Sequence, residues 1–125
     1  MARILVVDDE ESIREFLEIM LKKEGYEPTC VEDGEVAVDM LKKKSFDMVI
    51  SDLQMPNMTG IELLKSVREQ DPDLLFMMIT AFGTTETAVE AMKLGAYDYI
   101  TKPFKIDEVR INIANALRSR NLEFE

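Results

Sequence analysis

Five side chains that could do chemistry together each follow a short apolar run in this sequence. They are Asp8, Asp9, Asp52, Thr80 and Lys102. Carboxylate oxygens are ligands for hard divalent cations, and a lysine ammonium neutralises a carboxylate or a phosphoryl oxygen as a point charge. If folding brings these groups together, they form a site that can hold a cation and handle phosphate.

The apolar runs before these residues are typical of parallel strands that are buried on both faces. The runs cover residues 4–7, 48–51, 74–79 and 97–101, and helical patterns separate them. In open sheets of this kind, ligands bind just beyond the carboxyl ends of the strands. We therefore expect the five side chains to converge on one edge of the sheet.

The remaining pattern predicts five βα units in alternation. The first helix has apolar residues at the i, i+3, i+4 spacing of one helical face and ends at Gly25. Thr29–Val31 is predicted as the second strand, Phe46–Ser51 as the third, and the last helix is predicted to begin at about Asp107. The fold class is therefore α/β.

The composition limits the classes of protein to which this chain can belong. Its 125 residues, 46% of them hydrophobic, fit one domain over residues 1–125. The formal charge of −10 opposes attraction to phosphate backbones, so we expect no direct binding to nucleic acid. No apolar stretch approaches the roughly 18 to 20 residues that span a bilayer. Together with the single cysteine, Cys30, this predicts a cytoplasmic protein that does not bind membranes.

The absence of histidine excludes a Ser-His-Asp triad, a Cys-His pair and histidine-rich zinc or iron sites within this chain. A metal ion must therefore be held by oxygen ligands, which leaves Mg²⁺, Mn²⁺ or Ca²⁺. The acidic residues come from separated strands and lack the spacing of a calcium loop, so we favour Mg²⁺. The alternative for Asp8 and Asp9 is helix capping, because the helix dipole favours acidic residues there.

Lys102, Thr80 and Tyr99 also have structural alternatives. A lone lysine is most often a solvated surface charge, a threonine at a strand end usually caps or fills space, and a strand tyrosine usually packs its ring. The helix between Thr80 and Tyr99 has few large apolar residues, so its docking is easily changed. A new dianion near Thr80 would pull its hydroxyl inward and leave room for the Tyr99 ring. This order of residues predicts a switch.

The series of motifs resembles the receiver domain of bacterial two-component response regulators over essentially all of the chain. The matching segments are Val6–Glu10, Ser51–Pro56 with Thr59–Gly60, Ile79–Ala81 and Tyr99–Phe104. The resemblance implies a flavodoxin-like (βα)5 three-layer sandwich whose five-stranded parallel sheet has the order 2-1-3-4-5. It also implies a signalling switch rather than an enzyme, apart from self-catalysed phosphotransfer and dephosphorylation.

By that resemblance, Asp52 is the phosphoacceptor and takes a phosphoryl group from a phosphohistidine of a sensor histidine kinase. The donor imidazole must come from the partner, since this chain has no histidine. Asp9 is the expected direct metal ligand of the acidic pair, with Asp8 acting through water. The full set of implied ligands for Mg²⁺, or for Mn²⁺ in its place, is Asp8, Asp9, Asp52 and the backbone carbonyl of Gln54.

The resemblance also implies roles for the other site residues. Lys102 and the Thr80 hydroxyl bind phosphoryl oxygens. Phosphorylation adds charge and three acceptor oxygens, and it moves Thr80 and Tyr99 together. This movement reshapes the surface formed by the fourth helix, the fifth strand and the fifth helix.

Within that family, the segments around Phe82, Tyr97 and Pro103 look most like receivers of the nitrogen-regulation type, which precede an ATPase domain that activates transcription. The resemblance therefore implies an output domain in the same chain, with ATPase and DNA-binding parts, so that residues 1–125 are the N-terminal part of a longer protein. A homodimer is a further implied partnership. A stand-alone receiver and a phosphorelay intermediate are the alternatives.

The main rival outside this family is a Mg²⁺-dependent hydrolase of the haloacid dehalogenase type with an aspartate nucleophile. Such enzymes need an aspartate two residues after the nucleophile, whereas Gln54 follows Asp52 and Glu10 follows Asp8 at that spacing. A flavin or nucleotide binder of the flavodoxin type is disfavoured because the acidic loop after Asp8 would repel a phosphate group.

Overall fold

Five strands alternate with five helices in the computed structural model, which describes the backbone of residues 1–124 and the side chains of residues 1–120. Glu125 lies outside the described residues. The elements are β1 Arg3–Val7, α1 Glu11–Lys23, β2 Glu27–Val31, α2 Gly34–Lys43, β3 Met48–Ser51, α3 Gly60–Gln70, β4 Leu75–Thr80, α4 Thr85–Lys93, β5 Asp98–Thr101 and α5 Ile106–Phe124.

The strands form one parallel sheet in the order β2-β1-β3-β4-β5, as the resemblance implied. The pairing register aligns the carboxyl ends of the central strands. Val7 of β1 lies opposite Ser51 of β3, and Thr80 of β4 lies opposite Thr101 of β5. The residue after each paired strand end therefore emerges at the same edge of the sheet.

Helices cover both faces of the sheet, which makes three layers. Successive strand residues point to opposite faces, so Leu5 and Val7 belong to one buried cluster, while Ile4 and Val6 belong to the other. The first cluster includes residues of α2, α3 and α4, namely Ala37, Leu63, Leu64, Val67 and Ala91. The second includes residues of α1 and α5, namely Leu17, Leu21, Val109, Ile113 and Ala116. The predicted three-layer α/β sandwich is confirmed.

The predicted element boundaries were close, but β3 is shorter than expected. Phe46 and Asp47 were predicted to belong to this strand, which begins instead at Met48. The Asp47 N–H still donates to the Arg3 carbonyl at 2.8 Å, but the Arg3 N–H donates to the Asp47 Oδ2 atom at 2.8 Å rather than to a backbone carbonyl. The regular ladder between β1 and β3 therefore begins at Met48. β5 likewise begins at Asp98 rather than at Tyr97.

The helix α4 is weakly packed, as the sequence indicated. Ala91 is its one buried residue, whereas α3 buries five. Thr84 caps its N-terminus by accepting the backbone N–H of Thr87 at 3.1 Å. Among the described residues, no helix has both the length and the apolar character that crossing a bilayer requires.

Candidate functional site

Asp8 and Asp52 lie side by side at the carboxyl edge of the sheet. Each follows the last residue of its strand, and those last residues are paired in the β1–β3 register. Both carboxylates are buried, with 3% of each residue exposed. Two buried like charges repel one another strongly in a medium of low polarity. The pair therefore requires a neighbouring cation.

Lys102 supplies a positive charge at this position. Its Nζ atom lies 3.2 Å from Asp8 Oδ2, 3.5 Å from Asp52 Oδ2 and 3.7 Å from Glu10 Oε1. The backbone holds Lys102 in place, since its N–H donates to the carbonyl of Thr80 at 2.8 Å. The Lys102–Pro103 peptide bond is cis. An amino-acid sequence alone does not decide between the cis and trans isomers of a bond that precedes proline.

The protonation equilibria of Asp8 and Lys102 reflect this arrangement. Burial raises the pKa of Asp8, while the Glu10 backbone N–H and the Lys102 charge act in the opposite direction. For Lys102, burial lowers the pKa, but the charges of Asp8, Asp52 and Glu10 and the hydrogen bond to Asp8 act in the opposite direction, and the net pKa is raised. The ammonium therefore remains charged at neutral pH.

Three acidic side chains at this edge could hold a metal ion. Oxygen atoms of Asp8, Glu10 and Asp52 all lie within 4.8 Å of one another. A set of carboxylate oxygens suits Mg²⁺ or Mn²⁺, which prefer oxygen ligands. The residues at the site therefore fit the cation that the sequence predicted.

The structure gives Asp9 and Glu10 places that the sequence did not suggest. Asp9 is exposed and does not belong to the carboxylate group near Lys102, so its role as a direct metal ligand stays a prediction. Glu10, which was not predicted as a site residue, belongs to the group. Its backbone N–H donates to Asp8 Oδ1 at 2.9 Å, and this turn brings its side chain over the site. The one feature of the sequence that indicated Glu10 was its carboxylate directly after Asp8 and Asp9.

The Asp52 carboxylate has a defined orientation. Its Oδ1 atom accepts the backbone N–H of Leu53 at 2.7 Å, which leaves Oδ2 on the side of Lys102. Gly60 lies against the Asp52 carbonyl, where a Cβ atom would collide with it. Gln54 is exposed, and the proposed contribution of its carbonyl stays a prediction.

Thr80 and Tyr99 occupy neighbouring strands but point to different partners. Thr80 is fully buried, and its Oγ1 atom accepts the backbone N–H of Phe82 at 3.1 Å. The Tyr99 hydroxyl instead lies 2.8 Å from Thr87 Oγ1 on α4. A Cβ atom at Gly83 would collide with the Tyr99 ring. Within the described residues, Thr80 forms no hydrogen bond to Asp52.

A separate cavity lies at the opposite end of the strands, beside the segments that precede β3 and β4. Its volume is about 510 Å³, and α2, α3 and the segments before β3 and β4 line it, with Phe46, Val67 and Leu74 among the buried walls. It lies away from the acidic group and from Lys102. The candidate functional site is therefore the carboxylate and lysine cluster rather than this cavity.

Comparisons with known sequences agree with this assignment. Residues 4–114 match the response regulator receiver domain family. The regulatory protein AtoC of Escherichia coli K12 is 37% identical over 123 residues, which cover 98% of this chain and 27% of AtoC. The response regulator protein PilR of Pseudomonas aeruginosa is 37% identical over 123 residues, which cover 98% of this chain and 28% of PilR. This chain thus spans little more than a quarter of the length of these relatives.

Comparisons with solved structures extend the likeness to three dimensions. The receiver domain of the Francisella response regulator 1452 matches with a TM-score of 0.88 at 32% identity, covering 95% of this chain and 98% of that chain. NtrX from Brucella abortus matches with a TM-score of 0.91 at 36% identity, covering 98% of this chain and 28% of that chain. The similarity therefore covers nearly the whole fold.

Proposed function

The chain belongs to the response regulator receiver domain family of two-component signalling, and we propose that it is a switch controlled by phosphorylation of Asp52. The observation that carries this proposal is the position of Asp52 Oδ2, 3.5 Å from the Lys102 ammonium and beside Asp8. The Asp52 carboxylate has a fixed orientation at this position. The Lys102 ammonium can balance its negative charge and that of an incoming phosphoryl group.

The proposed reaction is transfer of a phosphoryl group from a phosphohistidine of a sensor kinase. A carboxylate oxygen of Asp52 forms the new P–O bond, the P–N bond breaks, and its electron pair returns to the kinase imidazole. Phosphoryl transfer depends mainly on positioning and charge stabilisation. The Leu53 N–H orients the carboxylate, and Lys102 balances negative charge on the phosphoryl oxygens.

Mg²⁺ is the proposed cofactor, with Mn²⁺ as a substitute. Asp8, Glu10 and Asp52 are the residues whose positions support binding, and Asp9 and the Gln54 carbonyl remain proposed ligands from the sequence. When bound, the cation supplies positive charge that offsets the carboxylates and the transferring group. The Lys102 ammonium, within 3.7 Å of Asp8, Glu10 and Asp52, supplies a further positive charge at the same group of carboxylates.

The proposed output of the switch is a rearrangement around α4. The phosphorylated carboxylate attracts the Thr80 hydroxyl, which then gives up the Phe82 N–H that it accepts in this structure. The Tyr99 ring follows towards the vacated space and leaves Thr87. The added dianion can shift this equilibrium only through the difference in its interaction with the two states.

The proposed partners follow from the family and from the length of the relatives. A sensor histidine kinase supplies the phosphoryl group. Because the chain spans about a quarter of AtoC and PilR, we propose that residues 1–125 are the N-terminal part of a longer cytoplasmic protein, with an ATPase and DNA-binding output that forms homodimers. A stand-alone receiver or a phosphorelay intermediate is the alternative. In each case the domain acts as a switch and not as an enzyme on an external substrate.

Incubation with Mg²⁺ and acetyl phosphate tests the proposed phosphorylation. Intact mass measurement is expected to find one added phosphoryl group on the wild type and none on Asp52→Asn. The added group is expected to be released by hydroxylamine, because it is an acyl phosphate. Equal labelling of wild type and Asp52→Asn would remove Asp52 from its proposed role.

A further inference from the structure

Arg68, in the last turn of α3, binds backbone carbonyls in two segments, one that directly follows α3 and one at the distant C-terminal end of α4. Its Nε atom donates to the Leu94 carbonyl at 2.9 Å, and its Nη2 atom donates to the Gly95 carbonyl at 2.8 Å. Its Nη1 atom donates to the Leu74 carbonyl at 2.7 Å and makes a longer contact of 3.4 Å with the Asp71 carbonyl. The planar guanidinium thus holds the end of α4 and the start of β4 against α3.

The backbone at the end of α4 passes close to this side chain. Gly95 adopts a φ of +88°, which is favourable only for a residue without a Cβ atom, and a Cβ there would lie 3.0 Å from Arg68 Nε. The carbonyls at the end of a helix lack partners within the helix. Arg68 binds two carbonyls just beyond α4 and brings a positive charge to its negative end.

Few other contacts hold α4 to the domain. Ala91 is its one buried residue, so apolar packing contributes little to its position. At its N-terminal end, the hydrogen bond between Thr87 and Tyr99 joins the helix to β5. An ion pair between Lys65 and Glu90, 3.8 Å apart with both side chains at least half exposed, also joins α4 to α3, but surface pairs of this kind contribute little to stability. The stronger polar attachments of α4 therefore lie near its two ends, with Arg68 beyond one end and Tyr99 at the other.

The two attachments differ in their relation to the phosphorylation site. Tyr99 is one of the residues proposed to move, and Gly83 lies against its ring. Arg68 binds carbonyls at the opposite end of α4, and within the described part of the chain it forms no hydrogen bond or ion pair with Asp52, Lys102 or Thr80. Its three short hydrogen bonds come from a charged donor, which makes each stronger than a neutral one.

We propose that Arg68 is a positioning residue that fixes the C-terminal end of α4, so that the change on phosphorylation is confined to the N-terminal part of this helix and the loop before it. This inference rests on the proposed function, in which phosphorylation of Asp52 moves Thr80 and Tyr99. Arg68 then sets the boundary between the segment that moves and the segment that stays.

Hydrogen exchange measured by mass spectrometry, with and without acetyl phosphate and Mg²⁺, tests this boundary. In the wild type, phosphorylation is expected to change exchange in peptides covering residues 82–90 and to leave residues 94–97 unchanged. In Arg68→Gln, residues 94–97 are expected to exchange about tenfold faster before phosphorylation and to respond to it. Arg68→Lys keeps the positive charge but loses the planar guanidinium. Its exchange rate for residues 94–97 is expected to lie between those of the wild type and Arg68→Gln.

The control variant is Arg118→Gln, which removes the same charge from an exposed position on α5. It is expected to match the wild type in both peptides. A purely structural role for Arg68 would raise exchange throughout the sheet without moving the phosphorylation-dependent boundary. That result, or an equal response of residues 82–90 and 94–97 in the wild type, would overturn the proposal.

The same experiment separates this inference from the proposed function. Intact mass reports whether Asp52 is phosphorylated, independently of exchange. If no phosphoryl group is added, the proposed function fails, and the inference fails with it as a statement about phosphorylation. If the group is added and the boundary does not depend on Arg68, only the inference fails. Should Arg68→Gln not fold, Arg68→Lys is the variant that decides.

Discussion

The ammonium of Lys102 lies 3.5 Å from Oδ2 of Asp52, and 11% of the Lys102 side chain and 3% of the Asp52 side chain are exposed. Charges this deeply buried interact more strongly than an ion pair on the surface, and they are stable only if each is compensated. The pair joins the carboxyl ends of β3 and β5, which are separated in the sheet by β4. This contact is the centre of the proposed site.

Replacement of Lys102 by methionine is expected to slow phosphorylation of Asp52. Methionine has a similar length but no charge, so negative charge on the transferring group is no longer balanced on that side. Loss of one such stabilising group typically costs about 100-fold to 1,000-fold in rate. The rate of phosphoryl incorporation from acetyl phosphate, measured by intact mass, tests this expectation. Lys105→Met, at an exposed position, is the control and should retain the wild-type rate.

Replacement of Asp8 by asparagine is expected to increase stability at neutral pH when EDTA removes divalent cations. Burial raises the pKa of Asp8, so the folded state favours its neutral form. The stability that this shift contributes is full below the ordinary pKa of 3.8 and is lost as pH rises through the folded-state pKa. Asparagine does not ionise, so the variant does not lose this part of its free energy of unfolding as the pH rises. Urea unfolding of both proteins in EDTA from pH 4 to pH 7 tests this expectation. A variant that is less stable than the wild type at pH 7 would contradict it.

Replacement of Tyr99 by phenylalanine removes the hydroxyl that lies 2.8 Å from Thr87 Oγ1 and leaves the ring in place. A hydrogen bond of this kind contributes about 1 kcal/mol to the free energy of unfolding. We expect a loss of that size in urea unfolding, and faster hydrogen exchange in α4. Tyr97→Phe is the control, because Tyr97 is 38% exposed. Equal effects of the two substitutions would argue against a specific contact between Tyr99 and α4.

Cys30 is expected to react slowly with iodoacetamide in the folded protein. Burial raises the pKa of its thiol from 9.0 to about 11, and Glu18 adds to this effect. At pH 8 the reactive thiolate fraction is therefore about 100-fold lower than for an unshifted thiol. The alkylation rate should keep rising with pH beyond 9 in the folded protein, whereas the rate of the urea-unfolded protein should level off near its ordinary pKa. A folded profile that levels off near pH 9 would contradict the shift.

Much of the site follows from strand order and alternation, which are readable in the sequence. Asp8, Asp52 and Lys102 each come directly after a strand, so a parallel sheet must bring them to one edge. The weak packing of α4 is equally visible, because small residues occupy the face that meets the sheet. These features depend on local pattern and on general rules of sheet topology.

Other features depend on the path of the backbone and on contacts between distant segments. The turn after Asp8, closed by the Glu10 N–H, places Glu10 rather than Asp9 near Lys102. The position of Arg68 in its helix indicates nothing about carbonyls near Leu94. Side chains that bind backbone atoms elsewhere in the chain leave no periodic signal, so sequence patterns do not identify them.

Chemical mapping of the phosphorylated residue tests the central proposal most directly. Borohydride reduces an acyl phosphate to an alcohol, so the modified aspartate becomes homoserine. After incubation with acetyl phosphate and Mg²⁺, peptide mass spectrometry is expected to find homoserine at position 52 and nowhere else. Homoserine at position 8 or 9, or unmodified Asp52 in protein that has gained a phosphoryl group, would contradict the account.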